Sequence, residues 1–148
     1  MLAAAKLPLG EIVEITTQHG LRYVQITHHH PSYPEVVRAL KGCFEQRPSL
    51  DSLALAQSDF HALCPVGDSL AAGTLKGEAL GSRPLPDHAR AFPTFRTPIR
   101  DRRGDVIYWW FWDGEALRFD AAPPPEAETW PLREITGAGT LLRRLTQS

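Results

Sequence analysis

The stretch FRTPIRDRRGDVIYWWFWDGEALRFD, residues 95–120, contains three strand-like runs separated by two turn sequences. The runs are Phe95–Arg100, Asp105–Trp112 and Glu115–Asp120, and they are rich in aromatic and β-branched residues. Asp101–Gly104 lies between the first two runs, and the dipeptide Asp113-Gly114 lies between the last two. Because Asp-Gly between such runs is typical of a tight hairpin, the stretch predicts a three-stranded antiparallel meander.

A second pair of strands is predicted near the N-terminus. The runs Gly10–Thr17 (GEIVEITT) and Leu21–His28 (LRYVQITH) are also rich in β-branched and aromatic residues. Gly20, in the short connection, can adopt the positive φ that a hairpin loop requires. Strand alternation places Tyr23 on the face opposite to Val24. We therefore expect a hairpin with one clearly apolar face.

Residues 34–42 (PEVVRALKG) fit two different structures. Pro34 at a first helical position and Gly42 at the end are typical helix boundaries. The adjacent Val36 and Val37 instead favour a third strand. Local chemistry leans towards a helix, and the residues themselves leave this segment undecided.

The remaining segments complete one globular domain, predicted for residues 10–148, after a flexible N-terminus at residues 1–9. The other predicted elements are a short helix capped by Ser49, a small-residue turn at Gly67–Gly73, a proline-rich surface loop at Gly77–Pro98, a short strand at Leu132–Ile135 and an amphipathic helix at Thr140–Thr146. No internal repeat divides the chain.

Together these elements predict a mainly β fold. We expect the N-terminal hairpin and the C-terminal meander to curl into a small, partly open SH3-like barrel with one or two short helices. The alternative is an α+β fold in which helices at Pro34–Leu40 and Leu141–Leu145 pack on one sheet.

Charge and hydropathy exclude several classes of protein. The 148 residues carry 16 Lys and Arg against 17 Asp and Glu, so no excess charge points to nucleic acid or to an anionic membrane. No apolar run approaches the roughly 20 residues of a transmembrane helix. MLAAAKLPLG lacks the basic residues that precede the apolar part of a secretory signal. Because Cys43 and Cys64 are too few for a disulfide framework, we expect a cytoplasmic protein with reduced thiols.

Histidine and cysteine residues raise the question of a metal site. His28 and His30 would share one face of a strand, and His61-x-x-Cys64 has the spacing of a zinc-ligand pair. A zinc site usually shows two tight ligand pairs, and here the second pair depends on tertiary proximity alone. We interpret these residues as structural, with Cys43 and Cys64 in the core, and expect no metal and no cofactor.

The run Tyr108–Trp112 (YWWFW) is the most unusual part of the chain. Alternation places Trp109 and Phe111 on one face and Tyr108, Trp110 and Trp112 on the other. Either the strand is covered on both sides, which is the preferred interpretation, or one face stays open as a binding platform. In the second case Arg96, Trp110 and Trp112 are the candidate partner-binding anchors, with the loop Arg83–Arg96 as a neighbouring surface.

Conventional signatures of catalysis are missing. The sequence has no G-x-S-x-G, no phosphate-binding glycine loop, no H-E-x-x-H and no dinucleotide fingerprint. Asp105, Asp113 and Glu115 lie where a turn or strand end normally exposes a carboxylate. His61 and His88 have no identifiable base or nucleophile beside them. No catalytic residue is predicted, and an enzyme is not the favoured interpretation.

Four segments carry a resemblance to a protein family. They are GEIVEITTQHGLRYVQITHHH from Gly10, PTFR at Pro93–Arg96, WWFWDGE at Trp109–Glu115 and PLREI at Pro131–Ile135. Together they resemble uncharacterised bacterial single-domain proteins similar to the type-26 immunity proteins of polymorphic toxin systems, some of which are associated by name with a small phosphotriesterase. The resemblance implies an extended Glu35–Phe44 and a non-catalytic protein that neutralises a toxin by covering its active site.

The second functional hypothesis is a small hydrolase of the phosphoester or phosphotriester type with an unrecognised site. A phosphotriester hydrolase normally uses a two-metal cluster, and the sequence offers no convincing ligand set for one. The primary expectation is therefore a protein partner, possibly a toxin, and neither a membrane nor a nucleic acid.

Overall fold

The computed structural model describes residues 6–147, which form eight β-strands, three α-helices and two short 3₁₀ helices. The strands are β1 (Glu11–Thr17), β2 (Gly20–His30), β3 (Tyr33–Leu40), β4 (Ser58–Leu63), β5 (Gly77–Ser82), β6 (Phe95–Arg100), β7 (Val106–Trp112) and β8 (Leu117–Phe119). The helices are α1 (Leu50–Ala54), α2 (Val66–Ala72) and α3 (Ala138–Gln147), and the 3₁₀ helices are Asp87–Ala89 and Pro125–Thr129. Residues 1–5 of the expected flexible N-terminus lie outside the described residues. Among the described residues, no helix is long and apolar enough to cross a membrane.

The strands form two antiparallel sheets. Sheet A has the strand order β4-β3-β2-β1-β5, and sheet B has the order β6-β7-β8. The N-terminal hairpin is confirmed, since Thr17 pairs with Gly20 across the turn and Gly20 has a φ of 138°. The C-terminal meander and the mainly β class are confirmed as well. The two sheets are not closed into a barrel, which corrects the SH3-like arrangement expected from the sequence.

The undecided segment after the hairpin is the strand β3. It lies between β2 and β4, so its backbone pairs on both sides. Val37 packs in the cluster on one face of sheet A, whereas Val36 and Leu40 pack on the other. A central strand buries both faces of such a run, and this packing overrides the helix boundaries at Pro34 and Gly42. The α+β alternative is therefore wrong for Pro34–Leu40, although its second helix is present as α3.

Two segments differ from their sequence-based predictions. The predicted turn at Gly67–Gly73 instead forms most of α2, with Gly73 as its C-cap, and the Gly67 N–H donates at 2.8 Å to the buried carboxylate of Glu35. The predicted loop after residue 77 begins with β5, which is an edge strand of sheet A and pairs with β1. Gly77 permits this pairing, because a Cβ there would lie 1.9 Å from the carbonyl oxygen of Glu14.

Two buried arginines of sheet A donate hydrogen bonds to the C-terminal ends of helices, one helix on each face of the sheet. Arg22 donates to the carbonyl oxygen of Leu145 in the last turn of α3. Arg38 donates to the carbonyl oxygens of Ala54 and Ala56, at 3.0 and 2.6 Å, where α1 ends. Carbonyl groups at the end of a helix lack partners within the helix and attract cations. Each guanidinium therefore ties one helix end to the sheet.

The segment Pro131–Thr136 joins the edges of the two sheets. Backbone hydrogen bonds of 2.9 and 2.8 Å connect its start to Arg96 of β6, and one of 2.7 Å connects its end to Leu63 of β4. The predicted strand at Leu132–Ile135 exists only as the two single bridges that these bonds create. The segment thus acts as a backbone tie between the sheets.

Aromatic side chains fill the space between the sheets. The Trp112 ring centre lies 4.9 Å from that of Tyr33, 5.4 Å from Phe92 and 5.6 Å from Phe95. We call these four residues the aromatic joint. The Arg133 guanidinium lies over the Trp112 ring at 4.7 Å. Ring pairs and cation–π contacts of this kind each contribute about 0.5–1.5 kcal/mol beyond the burial of apolar area.

A substitution at Gly114, in the turn before β8, tests whether this turn packs closely against Phe92 of the aromatic joint. It has a φ of 95°, and a Cβ there would lie 3.0 Å from the Phe92 ring. We expect Gly114→Val to lower the free energy of unfolding by about 1–3 kcal/mol through backbone strain, with a further loss from displacing Phe92.

Gly104→Val is the matched control, because Gly104 has a φ of 90° but a Cβ there would meet no other atom within 4 Å. Urea denaturation of both variants measures the difference in their free energies of unfolding. An unchanged midpoint for Gly114→Val, or equal losses in the two variants, would contradict the packing of this turn against Phe92.

Candidate protein-docking surface

The aromatic run lies on β7, the central strand of sheet B. Residues paired across neighbouring strands share a face of the sheet. The pairs on one side are Trp110–Thr97, Trp110–Phe119, Trp112–Phe95 and Trp112–Leu117. Trp109 and Phe111 lie on the other side, which confirms the predicted alternation. We call the side that carries Trp110 the front face and the side that carries Phe111 the back face.

The end of the front face nearest sheet A is buried. Trp112 is 4% exposed, and the His30 ring packs on it with the ring centres 5.1 Å apart. The Nε2 atom of His30 also lies 3.0 Å from the carbonyl oxygen of Gly114. The prediction that Trp112 anchors a partner is therefore corrected, because its indole supports the front face from inside the fold.

The outer part of the front face stays open to solvent. Tyr108 is 40% exposed, Leu117 46% and Phe119 50%, and they adjoin the half-buried Trp110. We call these four residues the front patch. The Phe119 ring centre lies 5.3 Å from that of Tyr108 and 6.2 Å from that of Trp110, so the rings support one another. Large rings held in this way lose little conformational freedom on binding.

β8 forms an edge of sheet B beside the front patch. Within the described residues it pairs only with β7, and all three of its residues are exposed. An exposed edge strand presents backbone N–H and C=O groups to another chain. A partner strand added here would extend the sheet and bring its side chains over the front patch.

The part of the back face around Phe111 and Trp109 is covered by the chain itself, whereas Ile107 at its outer end is exposed. Phe111 is 2% exposed and packs edge-on against Trp130, with ring centres 5.3 Å apart. The Arg96 guanidinium stacks on Trp109 at 4.3 Å, and its Nε donates to the carbonyl oxygen of Trp130 at 2.9 Å. The candidate anchors Arg96 and Trp110 therefore lie on opposite faces, and Arg96 is already engaged within the fold.

The two ends of the loop Arg83–Arg96, which was predicted as a neighbouring surface, pack in different parts of the molecule. Its Phe92 belongs to the aromatic joint. Its start forms a shallow, mostly apolar cleft with Leu55 of the α1 end, and Arg83 pairs there with Asp51 at 2.8 Å. The loop is thus not one continuous surface beside the front patch.

The possible metal ligands are dispersed. The Nε2 atoms of His28 and His30 lie 2.8 and 3.0 Å from backbone carbonyl oxygens. His61 lies on the face of sheet A that carries Arg38, whereas Cys64 packs in the cluster on the other face, because residues three apart on a strand point to opposite sides. Burial raises the pKa of the Cys64 thiol to about 12. Cys43 is exposed, which corrects its expected place in the core.

The three carboxylates considered as an acid–base cluster mark chain turns. The Asp113 carboxylate accepts hydrogen bonds from the N–H groups of Ala116 and Glu115 at 2.9 and 3.0 Å. These bonds hold the pKa of Asp113 below its ordinary value, so it stays ionised at neutral pH. Asp105 and Glu115 are exposed to solvent. Asp113 therefore shapes the turn and is not set up to exchange a proton near neutral pH.

The same turn sets the cross-strand partner of Phe119. A two-residue turn at Asp113-Gly114 would pair Trp110 with Leu117. The actual loop spans Asp113–Ala116, and Trp110 pairs with Phe119 instead. The Asp113 side chain holds this longer loop by accepting backbone N–H bonds. The resulting shift of two residues changes the partner of Phe119 from Tyr108 to Trp110 but leaves it on the front face, so alternation was the signal that could have found it.

Because one end of the front face is buried and the other is exposed, substitutions at the two ends should lower the free energy of unfolding by different amounts. Trp112→Ala should lower the free energy of unfolding by about 3–5 kcal/mol, because it leaves a cavity in the aromatic joint. Phe119→Ala should cost about 1 kcal/mol or less, because half of the ring already contacts solvent. Urea denaturation compares the two. A Trp112→Ala variant as stable as the wild type, or a Phe119→Ala variant that unfolds, would contradict this division.

Comparison of the chain with models of known protein families, with curated proteins and with solved structures found no match. The resemblance to type-26 immunity proteins stays a hypothesis.

Proposed function

We propose that the protein is a non-catalytic protein-binding module that docks a folded partner on the front patch. The observation that supports this is the exposure of Tyr108, Leu117 and Phe119 beside Trp110, while the inner end of the same face is fully packed. Apolar patches left open on an otherwise complete fold are typical of interaction surfaces. Their position on paired strands gives the surface a fixed shape.

Charge supports a protein partner over a nucleic acid. Residues 95–120 carry five Arg against four Asp and one Glu, so the charges of the meander balance. Arg96 is stacked on Trp109, and the Arg100 guanidinium donates to the Gly104 carbonyl oxygen at 2.7 Å. Nucleic-acid binding depends on cationic groups that neutralise phosphates, whereas aromatic anchors dominate protein interfaces. Binding at the front patch should therefore depend only weakly on salt concentration.

A bacterial toxin is the first partner to test. The resemblance to type-26 immunity proteins supports this choice, and such a protein acts by covering the active site of its partner. A gene for a large multidomain toxin beside the gene for this protein would strengthen the choice. Turnover of a phosphoester by the wild-type protein, lost on changing a carboxylate or a histidine, would instead favour the hydrolase alternative.

Site-specific photo-crosslinking in producing cells identifies the partner and tests the surface together. A benzophenone amino acid replaces Phe119 in one variant and Leu55, which is 74% exposed, in the control. We expect one discrete adduct from position 119 that is absent from position 55. Identical adducts from the two positions, or none from position 119, would contradict docking on the front patch.

The identified partner then allows an affinity measurement with purified proteins. Tyr108→Ser and Phe119→Ser should each weaken binding by about 2 kcal/mol or more if these rings are anchors of the interface. Ile107→Ser is the matched control, because Ile107 is an exposed apolar residue of the same strand on the back face. Equal affinities for the front-face and back-face variants would remove the front patch from the interface.

A further inference from the structure

A second concave site lies beside β4, at the outer edge of sheet A. The cleft has a volume of about 310 Å³ and lies between β4, residues 93–94 and residues 129–131. Its polar side chains include Ser58, His61 and Thr94, and Trp130 contributes an aromatic residue to the wall. None of the front-patch residues lines it, so the cleft is separate from the proposed docking surface.

His61 brings an uncharged imidazole to this cleft. Burial lowers the pKa of His61 to about 4, and the positive charges of Arg38, His28 and His88 lower it further. Within residues 6–147, no hydrogen bond occupies its ring nitrogens. At neutral pH the imidazole therefore has one N–H donor available for a ligand.

Behind His61 lies a positive charge that the fold does not neutralise. The Arg38 guanidinium is fully buried, and no carboxylate in the described part of the chain pairs with it. It donates to Gln25 Oε1 at 3.0 Å and to Ser58 Oγ at 3.1 Å, besides the carbonyl oxygens at the end of α1. Because the Ser58 oxygen accepts this bond, its own hydrogen is free to be donated.

The charges near β4 favour an anion. Asp59 is the acidic residue among those lining the cleft, and its carboxylate lies 3.3 Å from Arg22. Burial lowers the pKa of Arg144, an effect that the charges of Asp59 and Glu134 only partly offset, and its guanidinium stacks on the Phe60 ring at 3.9 Å. Arg22 and Arg144 lie on the α3 face of sheet A, so the arginine charge behind the cleft is that of Arg38, which shares the opposite face with Ser58 and His61. A buried charge without a counter-ion is costly, and an anionic ligand would relieve that cost.

We propose that this cleft binds a small aromatic carboxylate. The carboxylate group accepts hydrogen bonds from Ser58 and His61, with the charge of Arg38 behind them, and the aromatic body lies against Trp130. The volume suits a compound with one ring. A neutral aromatic compound would fill the same space but leave Arg38 without a counter-charge, so the site should select the anion.

Benzoate and benzamide test this selection, because they share a shape and differ in charge. NMR follows the His61 ring and the Trp130 indole N–H during each titration. We expect saturable shifts of both residues with benzoate, with a dissociation constant on the order of 1 mM. Benzamide should bind at least about tenfold more weakly, because it lacks the charge-assisted bonds.

The pKa of His61 gives a second measurement. A bound carboxylate stabilises the imidazolium form, so saturating benzoate should raise the pKa of His61 above its free value of about 4. By linkage, proton uptake on binding makes the affinity for benzoate increase as the pH falls below neutrality. Benzamide should leave the pKa of His61 unchanged.

Two variants distinguish benzoate binding in the cleft from binding at the front patch. Ser58→Ala should weaken benzoate binding by about tenfold, since it removes a hydrogen bond to a charged group. Phe119→Ser should leave benzoate binding unchanged. The proposal is overturned by the absence of saturable binding up to about 10 mM, by equal affinities for benzoate and benzamide, or by wild-type affinity in folded Ser58→Ala.

Discussion

The packing of the Trp112 indole between Tyr33 and Phe92 couples sheet B to sheet A. A three-stranded sheet needs an apolar partner to be stable, and the backbone tie at Pro131–Thr136 supplies only hydrogen bonds. The aromatic joint supplies the apolar burial, and Arg133 closes it from one side. Since β7 is a single rigid strand, anchoring its inner end at Trp112 also fixes the direction in which its outer end faces solvent.

Much of the fold could be predicted from short-range signals. The hairpin and the meander follow from runs of β-branched and aromatic residues bounded by turn residues. β3 could not be decided locally, because Pro34 and Gly42 resemble helix boundaries while burial on both faces depends on β2 and β4. β5 (GEALGS) was missed because its small residues carry no strand pattern, and its place depends on β1 reaching the backbone at Gly77.

The candidate site was predictable in part. Alternation alone separates Trp110 from Phe111, and the structure has the same two faces. Which end of a face is covered depends on residues far away in the sequence, such as Tyr33, so the difference between a buried Trp112 and an exposed Tyr108 could not be foreseen. The loop that Asp113 holds decides which residue Phe119 pairs with, whereas a shift of two residues leaves Phe119 on the front face in either case. The cleft at His61 joins segments that only the tertiary structure brings together.

Hydroxyl-radical footprinting with mass spectrometry, applied to the purified protein and to its complex with the crosslinked partner, measures whether the front patch is open and then covered on binding. We expect rapid oxidation of Tyr108 and Phe119 and slow oxidation of Trp112 in the isolated protein. In the complex, Tyr108 and Phe119 should be protected while Leu55 stays reactive. Oxidation of Trp112 as rapid as that of Tyr108, or a complex that leaves Tyr108 and Phe119 fully reactive, would contradict an open front patch that docks a protein.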